Sequence, residues 1–195
     1  MKSINLYKFS ELDENAKKNA LSWWQDNREP QFDHDPMIEG ITEDLEALSI
    51  EDVDIQYSGF WSQGDGLSFT GRVYDTIGFL GSIPEAQPIL NDLSKDTLEL
   101  INDSVEIYFD RITSRYVHEN SVNTILSAEW QTSETFNLLP ELQDAVEIWR
   151  LNKCYEFYKR LEKYYDECTS EQAVQDLLND SETEEWTVEG AHLTA

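Results

Sequence analysis

The chain has 195 residues, 39% of them hydrophobic and 12% aromatic, enough for one well-packed domain and too apolar for wholesale disorder. Forty Asp and Glu against fourteen Lys and Arg leave a net charge of −26. A surface of that sign repels DNA, RNA and anionic membranes, and attracts basic proteins or cations.

No apolar run approaches the ~18 residues of a membrane helix, and MKSINLYKFS lacks the apolar segment of a signal peptide. The expected location is the cytoplasm.

Ile4 and Leu6 alternate with polar residues and predict a short first strand. Ser10 followed by Asp13 reads as a capping box, with Asp in place of Glu, opening a helix. That helix places Leu12, Ala16, Ala20, Trp23 and Trp24 on one side and should stop before Pro30. Asp35-Pro36 predicts a second start, with Asp35 as cap and proline at the first helical position. Ile38, Ile41, Leu45 and Leu48 then form a buried stripe, with Glu39, Glu43 and Glu46 on the other side.

Val53, Ile55 and Tyr57 alternate as a strand, and Leu67, Phe69 and Val73 form its partner. Residues 84–102 predict one helix with Ile89, Leu93, Leu98 and Ile101 inside. Two strands should follow at 104–115 and 121–130, joined around Tyr116 to Asn120. The longest element is a helix over 140–168, with Ile148, Leu151, Cys154, Tyr158, Leu161 and Tyr165 as its stripe. Cys154 and Cys168 lie roughly 21 Å apart on it, beyond the ~7 Å reach of a disulfide, and their place on the apolar stripe predicts buried thiols. Thr169 and Gln172 cap a short helix through Ala173 to Leu178. A short strand at Trp186 to Val188 and a loose acidic tail complete residues 179–195. The fold class is α+β: a single domain over 1–195, with an antiparallel sheet of about four to five strands covered by helices.

The stretch GFWSQGDG, Gly59 to Gly66, is the one glycine-rich motif. It lacks the Lys-Ser/Thr and the following helix of a phosphate loop, and Asp65 is its only carboxylate, too few for calcium. Asp65-Gly66 between alternating runs predicts a hairpin turn, with Gly66 at positive φ. Phe60, Trp61 and Gln63 beside it either form an exposed recognition tip or fold back onto the core. His34, His118 and His192 are scattered without metal-site spacing, and neither Cys has a neighbouring His. The sequence therefore points to no catalytic residue, metal or cofactor.

YSGFWSQGDGLSF closely resembles a segment of a family of small, acidic, phage- and prophage-encoded proteins of unassigned function. INLYKFSELDENAKKNA and FYKRLEKYYDECTSEQAVQDLL extend the resemblance over most of the chain. It implies a phage origin and action in the host cytoplasm. Some relatives carry an antitoxin-like label. It brings no catalytic residues with it.

Charge then suggests a function. From Glu29 to Gly71 there are eleven acids and no Lys or Arg, and Glu162 to Glu189 holds ten acids against Lys163. Carboxylates roughly 5–6 Å apart on a helix can stand in for a row of phosphates. The leading expectation is a non-enzymatic, DNA-mimicking inhibitor of a basic host defence protein, analogous to anti-restriction and anti-CRISPR proteins. Glu39, Glu43, Asp44, Glu46, Glu51, Asp52, Asp54, Glu182, Glu184 and Glu185 would supply charge, with Phe60 and Trp61 as apolar anchors. The alternatives are an antitoxin-like protein-binding module and a metal-dependent enzyme with an acidic site.

Overall fold

A computed structural model describes residues 5–28, 32–112, 117–128, 133–181 and 183–192, with side chains from 138 onward in the fourth segment. The fold is α+β, with a four-stranded antiparallel sheet and a 36-residue helix. The chain forms two compact units: Met1–His34 with Lys163–Ala195, and Asp35–Glu162.

In the second unit, helix α2 (Asp35–Glu46) leads into strands β1 (Ile50–Ser58) and β2 (Gly66–Val73). Three short helices follow: α3 (Thr76–Ser82), α4 (Gln87–Asn91) and α5 (Lys95–Ser104). Strands β3 (Val105–Arg111) and β4 (Val122–Ala128) complete the sheet in the order β1-β2-β3-β4, and α6 (Ser133–Cys168) covers it. The sequence predicts one helix over 84–102. Ser94 instead accepts a hydrogen bond from the Thr97 N–H and caps α5 afresh, separating it from α4.

Alternation in the strands sends Phe69, Val73, Ile107 and Phe109 to one face of the sheet. There Phe69, Phe79, Phe109, Trp149 and Phe157 meet mostly edge-on, with Phe79 and Trp149 centroids 5.0 Å apart. Such aromatic pairs contribute roughly 0.5–1.5 kcal/mol each beyond the area they bury.

The covering stripe of α6 is Leu142, Val146, Trp149, Cys154, Phe157 and Leu161, all buried. The predicted stripe was offset. Ile148 is 52% exposed, and Leu151 and Tyr158 are only half-buried. The helix also starts at Ser133 and carries Pro140 in its interior, where the expectation put the start. Both cysteines lie on α6 as expected and are free thiols, but Cys168 is only half-buried. Burial pushes the Cys154 thiol up to about 11.

Fully buried Arg150 ties α6 to the sheet. Its Nε donates to Thr124 Oγ1 and Glu147 Oε2 at 3.0 Å, and its Nη1 donates to the Glu119 carbonyl at 2.5 Å.

The first unit joins α1 (Glu14–Asn27), the end of α6, α7 (Glu171–Asp180) and the segment after it. Phe9, Leu12, Ala16, Ala20, Leu21, Trp24, Leu178 and Trp186 form its core, with Trp23 packed alongside. Two caps differ from the sequence expectation. Asp13, not Ser10, caps α1 by accepting from the Asn15 and Ala16 N–H groups. Ser170, not Thr169, caps α7, because Thr169 Oγ1 donates back to the Tyr165 carbonyl.

Among the described residues, the expected strands at both ends reduce to single bridges, Tyr7 with Trp186 and Trp186 with His192. The segment around Trp186 is anchored rather than loose. Trp186 is fully buried, and Gly190, at φ +79, lies so close to α1 that a Cβ would sit 2.0 Å from the Ala16 carbonyl oxygen. Helix α1 ends at Asn27 with Arg28 already extended, so it stops before Pro30 as expected. Parts of the first strand and of the 104–115, 116–120 and 121–130 segments fall outside the described residues.

Candidate protein-binding surface

Helix α2 buries Ile41 and Leu45 completely and half-buries Ile38, leaving Glu39, Glu43, Asp44 and Glu46 exposed. Asp35 is its first helical residue, one step inside the expected cap position. Asp35, Ile38, Glu39, Thr42, Glu43 and Glu46 line an open groove of about 550 Å³.

Among the described residues, no cation pairs with Glu39, Glu43 or Glu46. Asp44 differs, because Arg160 of α6 meets it at 2.5 Å.

These charges work against the helix that carries them. Glu39 and Glu43, four apart, and Glu43 and Glu46, three apart, are like-charged pairs costing roughly 0.2–0.5 kcal/mol each. Glu43, Asp44 and Glu46 also crowd the C-terminal turn, which has no basic residue and where the helix dipole disfavours anions by about 0.3–1 kcal/mol each. Stability alone would select other residues here.

The remaining predicted acids do not join this groove. Glu51 and Asp52 sit at a bulge in edge strand β1, Asp52 at φ +54, and line a separate cavity of about 410 Å³ with Arg72, Asp103 and Glu106. There Arg72 pairs with Glu106 at 2.7 Å. A charged bulge also blunts an exposed sheet edge, which accounts for these two acids structurally. Asp54 pairs with Arg111 at 3.0 Å.

In the other unit, Glu184 is largely buried and held by Arg28 at 3.4 Å and His192 at 2.6 Å. That makes it a structural carboxylate. Glu185 is exposed, and Glu182 lies outside the described residues.

The Gly59–Asp65 loop connects β1 to β2. Positive φ falls on Gly64 (+95) and Trp61 (+69), not on the expected Gly66. Gly66 is needed for a different reason: a Cβ there would lie 2.9 Å from His118 Cβ. The aromatics divide between the two alternatives posed by the sequence. Phe60 folds back onto Tyr57 and Tyr158, at centroid distances of 5.9 and 5.8 Å, while Trp61 is 67% exposed. Burial raises the Tyr158 pKa, with the Asp65 and Glu162 charges adding to it, so this phenol stays protonated at neutral pH. Burial, and then the Asp35 charge, raise that of Tyr57.

Sequence reading missed the outward side of α6, where Ile148 and Tyr155 are exposed. The signal was present as a surplus of apolar positions, more than one stripe can use. Among the described residues, no three His, Cys, Asp or Glu side chains group as a metal site, and no helix is long and apolar enough to cross a membrane.

No curated protein and no solved structure matches the chain. A family model matches residues 23–171, three quarters of the sequence, and the chain belongs to that family, described as Domain of unknown function (DUF8835).

Proposed function

We propose that the protein is a phage-encoded, non-enzymatic inhibitor that occupies the nucleic-acid site of a basic host defence protein. The α2 carboxylates Glu39, Glu43 and Glu46 stand in for backbone phosphates. One observation carries this reading. Three exposed carboxylates without cation partners among the described residues lie along one helix face, at a cost to the helix itself. A net charge of −26 adds long-range attraction to a basic partner. The same field leaves nucleic acid itself as a competitor rather than a ligand.

The test replaces Glu39, Glu43 and Glu46 together by Gln, which keeps size and helix propensity nearly constant. Partners are captured from host lysate at low and high salt, with and without DNA competitor. The expected result is capture of a DNA-binding protein that DNA displaces, with weaker binding and a flatter salt dependence in the triple variant. Equal binding by both proteins at both salt concentrations would make this face merely solvated. An antitoxin-like apolar interface would then replace it.

A further inference from the structure

The outward side of α6 carries a second apolar row that the sheet does not use. Ile148 and Tyr155 are 52% and 65% exposed, and Leu151 and Tyr158 are half-buried. At about 100° per residue these four positions fall within roughly 80° of one another, along about 15 Å of helix. The centre of the row lies about 140° round the helix from buried Phe157.

The row ends against the Gly59–Asp65 loop. The Tyr158 hydroxyl donates to the Gly59 carbonyl at 3.2 Å, and the Trp61 backbone hydrogen-bonds to the same phenol. Asp65 closes the loop by accepting from the Ser62 N–H at 2.7 Å. Trp61 is thereby held in the left-handed backbone region, a strained conformation for a bulky residue, with its indole outward. A rigid, outward Trp is the residue type that dominates protein interfaces.

We propose that Ile148, Leu151, Tyr155, Tyr158 and Trp61 form a docking face for a basic amphipathic helix of a partner protein. Spacing by three, four and three residues makes the ridge against which such a helix packs. Carboxylates bracket the row, Glu141 and Asp144 before it and Asp65 beyond it. Its own cations are paired, Lys153 with Glu156 at 2.7 Å and Lys159 with Glu162 at 2.6 Å. Lys159 Nζ already lies over the Tyr155 and Tyr158 rings, at 5.9 and 5.8 Å, so the exposed Trp61 ring is the one that adds affinity for Arg.

A second copy fits worse. Antiparallel pairing about the row's midpoint sets Asp144 opposite Glu162 and joins two chains of −26 each. The proposal rests on the reading that the partner is basic, but it names a separate surface. Tyr158 contacts the loop and Arg160 contacts α2, and two positions on a helix are about 200° apart.

The test uses the full chain and a synthetic Leu/Arg helix of about eighteen residues with apolar positions at i, i+3, i+4 and i+7, beside its scrambled counterpart. Fluorescence anisotropy reads the ratio of the two affinities. The expected ratio favours the helix, and falls about tenfold or more in Trp61→Ala and in Ile148→Ser/Tyr155→Ser while melting temperatures hold. The Glu39/Glu43/Glu46→Gln variant keeps the ratio, so this result is independent of the α2 face. No preference for the helical peptide, or an unchanged ratio in both row variants, overturns the proposal. So does a wild-type dimer that Tyr155→Ser dissociates.

Discussion

Leu161 and Ile148 are both apolar residues of α6, yet one is fully buried and the other half exposed. Leu161→Ala should therefore cost about 2–5 kcal/mol, whereas Ile148→Ala should stay within ~0.5 kcal/mol. Urea melts of the two variants check the assignment, and equal losses would put the sheet on the wrong side of the helix. Gly66 tests a different steric demand. Gly66→Val drives a side chain into His118 and should cost about 1–3 kcal/mol in thermal melts, while Asp65→Asn keeps an acceptor for the Ser62 N–H and should be tolerated. The sequence made that glycine visible but assigned it to backbone dihedrals, because its neighbour across space, His118, is 52 positions away. Short-range chemistry is legible in a chain. Long-range contact is not.

At the scale of elements, the Arg150 network decides how α6 holds β4. Burial works to raise the Glu147 pKa, but hydrogen bonds from Arg150 and Thr124, with the guanidinium charge, outweigh it and hold the carboxyl below its ordinary 4.5. A depressed folded pKa means stabilisation that is complete above pH ~4.5 and is lost as pH falls through the lower folded value. Glu147→Gln should flatten that acid limb in urea midpoints measured across it. It should cost about 1–3 kcal/mol at neutral pH, because buried Arg150 loses its counter-charge but keeps its bonds to Thr124 and the Glu119 carbonyl. A wild-type acid limb in Glu147→Gln would assign the loss elsewhere.

Element existence followed well from periodicity: α2, β1 to β4, α6 and α7 stand near their predicted places. Edges followed less well. Asp13 and Ser170 won their caps over equally plausible neighbours, and Ser94 divided an apparently continuous helix. The α6 register was misread because its sequence supports two apolar rows, and only packing against Phe69 and Phe109 selects between them. The acids were legible as residues, but their fates were not. Ion pairs with Arg160, Arg111 and Arg28 removed Asp44, Asp54 and Glu184 from the pool of unpaired charge.

For the whole molecule, −26 implies a self-repulsion that salt should relieve. Raising NaCl from about 0.01 M to about 0.15 M shortens the screening length from about 30 Å to about 8 Å. The melting temperature should rise over that range, by about 2–4 °C for each 1 kcal/mol relieved. A flat or falling salt profile would mean that the charges are already balanced locally. The same arithmetic should make the triple Gln variant of α2 slightly more stable than the parent in calorimetry.

The bridge between Tyr7 and Trp186 has a consequence in time. Helix α1 leaves the ribosome before the sheet unit, and its core partner Trp186 leaves after it. At about 5–20 residues per second, α1 waits roughly 10–30 s with Trp24 and Leu21 uncovered. The sheet unit lies wholly between them and can fold meanwhile. Synthesis thus completes the middle of this protein before its beginning.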